Sequence, residues 1–167
     1  MTFRPLLTLA LISAATLATA GQAPVSSGDP MERRAALFSS VCMAAAPVFD
    51  QFETLASDAG LSDGVQGWSG GEDYLIGLIE HDGFCSCFMT MKASDQAVAT
   101  QSLHARLMAD YGQSYTGPEN GLESVAPFER EGVEVVSIIE PRSFNDQPWL
   151  AARISVFGAC PVQEVSE

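Results

Sequence analysis

From position 37 onward, apolar side chains recur at steps of three and four: Leu37, Phe38, Val41, Cys42, Ala45, Val48, Phe49, Phe52, Leu55 and Ala56. That spacing gathers them on one stripe of a helix beginning near Met31. Pro47 interrupts the stripe and has no amide hydrogen to donate. The expectation is a kink, or two short helices sharing a face with Pro47 in the first turn of the second. Gly60 suits the C-terminal end. A Gly-rich stretch then carries Asp63-Gly64, Gly67, Trp68 and Gly70-Gly71 and reads as a loop.

Residues 74–80 and 84–91 are rich in β-branched and aromatic side chains, and Asp82-Gly83 between them is a two-residue hairpin signal. On the return strand Cys85, Cys87, Met89 and Met91 share one face. Ser94 is placed to cap a further helix, with Asp95 in its first turn and Ala99, Leu103, Leu107 and Tyr111 along its inner side. Gly112 stops it. Residues 113–132 hold Gly117-Pro118, Asn120-Gly121 and Pro127 with few apolar positions, and read as a long connection. Strands follow at 133–140 and 149–157, joined by an irregular turn at 141–148. Leu150, Ala152, Ile154 and Val156 share the parity that also carries Cys160.

The order helix, two strands, helix, two strands predicts an α+β two-layer sandwich: a four-stranded antiparallel sheet with helices on one face. Both helices end in Asp-x-Gly, at Asp58-Ala59-Gly60 and Asp110-Tyr111-Gly112, which suits a common helix ending as well as a faint duplication.

The first twenty residues have a different character. Arg4 precedes an apolar run over 6–17, and Ala18-Thr19-Ala20 supplies small side chains at a cleavage position, the pattern of a secretory signal. Residues 21–30, GQAPVSSGDP, read as a flexible leader, leaving one domain over 31–163. The apolar run is too short to span a bilayer, so the exported chain is expected to be free of a membrane span and to reside in the periplasm or the medium.

Charge narrows the partners. Beyond the signal, seven cationic side chains face 21 acidic ones, a net charge of −14. Phosphate backbones need clustered Lys and Arg, so nucleic acid is excluded as a partner. A protein, with basic proteins favoured by the field, or a glycan is the expected ligand.

Cys42, Cys85, Cys87 and Cys160 make an even count in an exported chain, which reads as two disulfides. A bond between Cys85 and Cys87 would close a very small ring. Cys42 and Cys160 are therefore each expected to bond one member of that pair, and a redox or copper site at Cys85-Ser86-Cys87 is the alternative.

No catalytic signature is present, and no cofactor or metal is expected. Glu80, His81 and Asp82 cluster at the hairpin tip, but adjacent strand residues alternate faces, so a solvated turn explains them. His104 lacks an evident nucleophile. Trp68 and Trp149, with Phe144 and Tyr115, are candidates for an exposed aromatic patch, and Tyr115 and Phe128 are candidate anchors in a contact loop over 113–131. The reading is a small exported binding module or protein inhibitor. A thiol-redox enzyme or small hydrolase, and a passive subunit of an envelope assembly, are the alternatives.

Overall fold

The structure is a computed structural model that describes residues 29–81, 83–118 and 125–158. The expected signal and leader up to residue 28, Asp82 and Cys160 lie outside the described residues. Helix α1 (Pro30–Phe38) starts at an Asp29 N-cap, whose carboxylate accepts from the Met31 amide, with Pro30 in the first turn. It continues into a π-helical turn, Ser39–Met43, and after a bend α2 spans Phe52–Asp58. Pro47 is buried in that bend, not in the first turn of α2. The shared face is real: Phe38, Val41, Cys42, Ala45, Phe49, Phe52 and Ala56 are all buried, while Val48 points outward.

Gly60 has φ +76, and the Gly60 and Leu61 amides donate to Ser57 and Ala56 carbonyls, closing α2 with a Schellman pattern. Gly112 keeps φ −59 at the end of α3 (Gln96–Tyr111), so the two Asp-x-Gly endings are different caps. The cap of α3 is Asp95, one residue beyond the expected Ser94; its Oδ1 accepts from the Val98 amide at 3.0 Å.

The sheet corrects the expected count. Seven antiparallel strands, not four, run in the order β1-β2-β3-β4-β7-β6-β5. Their ranges are β1 Ser62–Gly64, β2 Gly67–Ser69, β3 Tyr74–His81, β4 Phe84–Lys92, β5 Val125–Arg130, β6 Val133–Phe144 and β7 Gln147–Phe157. The Gly-rich stretch forms the short β1–β2 hairpin, whose three-residue strands are too brief to show a period.

Strand β5 lies inside the stretch read as a connection. Ala126 and Phe128 alternate inward in period two, but Pro127 between them masks the strand signal. As an edge strand β5 tolerates a residue that cannot donate. Nor is 141–148 an irregular turn: β6 runs through Pro141 to Phe144, and Asn145-Asp146 alone turns the chain, with φ 50 and 59. The pair of positive φ values marks a type I′ hairpin, for which Asn and Asp are suited.

The helices pack on one face of the sheet. Phe38, Met43 and Val41 from the first helical unit, and Leu103 and Leu107 from α3, meet Ile76, Met89, Met91, Ile139, Leu150 and Ile154 from the strands, all fully buried. Each such side chain contributes about 1.5 to 3 kcal/mol by leaving water. The Cys42–Cys87 disulfide passes through this layer, joining the π-helical turn to the middle of β4. Cys85 is disulfide-bonded as well. Structural disulfides belong to oxidising compartments, which points to an extracytoplasmic protein. No helix among the described residues is long and apolar enough to cross a membrane.

Candidate functional site on the helix-free face

The same alternation that sends Cys85, Cys87, Met89 and Met91 into the core sends Phe84, Ser86, Phe88 and Thr90 to the opposite face, which no described helix covers. This second face is neither polar nor flat. Phe88 lies over Gly77 of the neighbouring strand, so close that a Cβ on Gly77 would meet the ring at 2.9 Å. Ser86 and Ser155 pair across β4 and β7 at 2.6 Å, both buried. Ile79, Val125, Phe144 and Phe157, four of the exposed large apolar side chains, also belong to this face by register. Exposed apolar area of that kind marks an interaction surface.

At one end of this face the sheet opens into a cleft of about 460 Å³. Leu75, Thr90 and Trp149 come from β3, β4 and β7, and Arg142 and Phe144 from β6. Ser69 at the end of β2, with Gln66 and Glu72 from the turns on either side of that strand, closes the other side. Phe144 stands edge-on to the Trp149 ring, with centroids 6.2 Å apart. The far wall is fixed from the helix layer: Gln96 Nε2, at the start of α3, donates to the carbonyl oxygens of Arg142 (2.7 Å) and Trp149 (2.6 Å).

Electrostatically the cleft is asymmetric. Glu140 accepts from Arg142 at 2.7 Å and from Arg153 at 3.2 Å, so two guanidinium groups share one carboxylate. Glu72, on the opposite side, forms no ion pair among the described residues. Arg153 Nε and Trp149 Nε1 are buried donors without an acceptor among the described residues. A concave, largely apolar site with a few polar groups is the usual form of a small-molecule site.

The expected aromatic patch is divided by the sheet. Trp149 and Phe144 line the cleft, whereas Trp68 sits on the helix side, edge-on to Phe52 at 6.5 Å. Tyr115 and Phe128 are not surface anchors: both are buried and pack edge to face at 5.4 Å. Part of the expected contact loop is thus β5, and 119–124 lie outside the described residues.

His104 shares a hydrogen bond through Nδ1 with the Tyr115 hydroxyl, and the rings stack 6.1 Å apart. Burial lowers the His104 pKa and pushes the Tyr115 phenol up to about 12. The Ser137 hydroxyl opposes the latter rise, although its Oγ makes no hydrogen bond of acceptable geometry. Ser137 is fully buried, so this His-Tyr-Ser cluster offers no nucleophile to a substrate. At the hairpin tip His81 stacks on Phe84 at 5.5 Å, and Glu80 has the opposite parity. Among the described residues no three potential metal ligands converge.

Arg142, Glu140, Arg153 and Leu75 were not singled out in the sequence. Their signal was present in the strand parity: the face of 149–157 opposite Leu150 and Ile154 carries Trp149 and Arg153, and pairing with β6 adds Arg142. No protein-family model, curated protein or solved structure matches this chain.

Proposed function

We propose that this chain is an exported binding module, in the periplasm or the medium, which holds its ligand in the Trp149–Phe144 cleft on the helix-free face of the sheet. The observation that carries this reading is the cleft itself: an aromatic pair, an exposed guanidinium and a carboxylate set around an apolar floor. The two chemical alternatives have less to stand on. Cys87 is bonded to Cys42 in the core, and Cys85 is also oxidised, which removes the free thiols a thiol-redox enzyme would use. The histidine nearest a hydroxyl group, His104, faces buried partners.

Trp149 provides its own reporter. In a Trp68→Phe protein it is the sole tryptophan, and a cleft ligand should shift its emission while leaving the helix-side core unperturbed. Saccharide, peptide and small-acid panels, together with a partner protein captured from a periplasmic extract, supply the trial ligands. Ligands that perturb the helix layer and leave Trp149 unchanged would reject the cleft as the site.

A further inference from the structure

We infer that the cleft takes an apolar zwitterion, a single amino acid or a very short peptide, with its α-carboxylate on Arg142 and its α-ammonium on Glu72. This inference rests on the reading of the cleft as the ligand site. Its starting point is the shared carboxylate of Glu140. Arg142 is more than half exposed, and its only ion pair among the described residues is with Glu140, which Arg153 also holds. Arg142 can therefore turn toward an incoming carboxylate without stranding Glu140, since Arg153 stays bonded to it. A guanidinium fork matches a carboxylate with two parallel hydrogen bonds.

The opposite charge waits across the cleft. Glu72 precedes β3, lines the same space and has no cation of its own among the described residues. The sheet order places β3, β4, β7 and β6 side by side between these two groups. Three strand spacings separate the ends by roughly 14 Å of backbone. Once the two side chains have reached inward, the remaining span suits one or two extended residues at about 3.4 Å each. Leu75, Trp149 and Phe144 line the same cleft, so the ligand's side chain meets an apolar and aromatic surface.

Net charge argues in the same direction. A simple anion, such as a fatty acid, would approach a chain with a net charge of −13 against its long-range field and would leave Glu72 without a use. A zwitterion carries no net charge to be repelled, and it satisfies both walls. A neutral saccharide could accept hydrogen bonds from Arg142 but would leave both Arg142 and Glu72 without a counter-charge.

The test titrates the Trp68→Phe protein with phenylalanine and with the dipeptide leucyl-phenylalanine, each compared with its N-acetylated and C-amidated form, following Trp149 emission and calorimetric heat. The unblocked ligands should bind, with each blocking group weakening them roughly tenfold. Glu72→Gln should abolish the penalty of acetylation alone, and Arg142→Gln that of amidation alone, with thermal stability unchanged in both. The tighter of the two unblocked ligands assigns the source, free amino acid or peptide. Equal binding of blocked and unblocked forms would overturn the zwitterion while leaving the cleft as a binding site. A Trp149 response to saccharides or simple acids, with none to millimolar amino acid or dipeptide, would overturn it in the same way. Silence of Trp149 toward every ligand that binds the protein would instead reject the underlying reading.

Discussion

Cys42 in the π-helical turn and Cys87 at the centre of β4 are covalently joined, with Cα atoms 5.2 Å apart across 45 residues of chain. The wide turn follows α1 without a break and carries Cys42, fully buried, to the middle of the sheet. The bond thus ties the helix layer to the strand whose other face forms part of the cleft floor at Thr90. One element serves two layers: β4 gives its odd positions to the helix-covered core and its even positions to the opposite face.

Closing a loop of that length restricts the unfolded chain, so the double substitution Cys42→Ala, Cys87→Ala should cost about 3 to 4 kcal/mol of stability. Against the roughly 5 to 15 kcal/mol typical of a domain, that is a large fraction. Denaturant unfolding under non-reducing conditions measures it. A loss below about 1 kcal/mol would show that the unfolded chain is already compact enough to make the cross-link redundant.

What the sequence made legible were features with a strong local period. The 3.6-residue stripe from Phe38 to Ala56, the antiparallel pairing of β3 with β4 and the inward parity of Cys85 to Met91 all correspond to the structure, because each is set by neighbours a few residues apart. The edge strands escaped for a physical reason. A three-residue strand such as β1 has no period to display, and Pro127 suits β5 only because β5 is an edge, a fact decided by non-local pairing. The site was half legible. Trp149 and Phe144 stood out as aromatics, but their separation from Trp68 by the thickness of the sheet, and the burial of Tyr115 and Phe128, depend on tertiary packing. Arg142 was hidden within an apparent turn flanked by Pro141 and Pro148, and Glu140 stood at the end of the strand before it.

Gly77 gives a prediction whose sign separates packing from propensity. Alanine in a strand loses less backbone freedom than glycine, which alone would favour Gly77→Ala. The added methyl would sit 2.9 Å from Phe88 Cε1 and 3.1 Å from Cζ, so the ring must move. Packing should win, with a net loss of about 1 to 3 kcal/mol. Combining it with Phe88→Leu should relieve most of that loss, as a double-mutant cycle in thermal unfolding would read. A stabilised single variant would mean that the ring yields freely.

The β6–β7 turn offers a gain instead. Asn145 and Asp146 both hold positive φ, and Asp146 does so at the second central position, where glycine is the favoured residue of a type I′ turn. Asp146 is exposed, so replacing it disturbs no core contact. Asp146→Gly should stabilise the protein by about 0.5 to 1 kcal/mol, and Asp146→Val, β-branched and poorly suited to that conformation, should destabilise it. Unfolding midpoints that rank the two variants the other way would contradict the turn geometry.

The His104–Tyr115 pair makes stability depend on pH at both ends of the scale, and the two ends have different origins. Burial lowers the His104 pKa below its ordinary value of 6.5, so on acidification the unfolded chain takes up that proton first. Stability due to this group is therefore whole above about pH 7. It falls as the pH drops through 6.5, with a slope of at most about 1.4 kcal/mol per pH unit, until His104 itself is protonated. For Tyr115 the shift is upward, to about 12 against an ordinary value of 10, because burial disfavours the phenolate. Here the unfolded chain loses its proton first, so stability is whole below pH 10 and falls between 10 and 12. The difference is worth roughly 2 to 3 kcal/mol by the upper end of that window. His104→Gln should flatten the stability profile between pH 7 and 5.5, and Tyr115→Phe should flatten it above pH 10. Both profiles come from denaturant unfolding at stepped pH. Should the acid slope persist unchanged in His104→Gln, the loss belongs to other groups and the buried imidazole is not what limits the fold on that side.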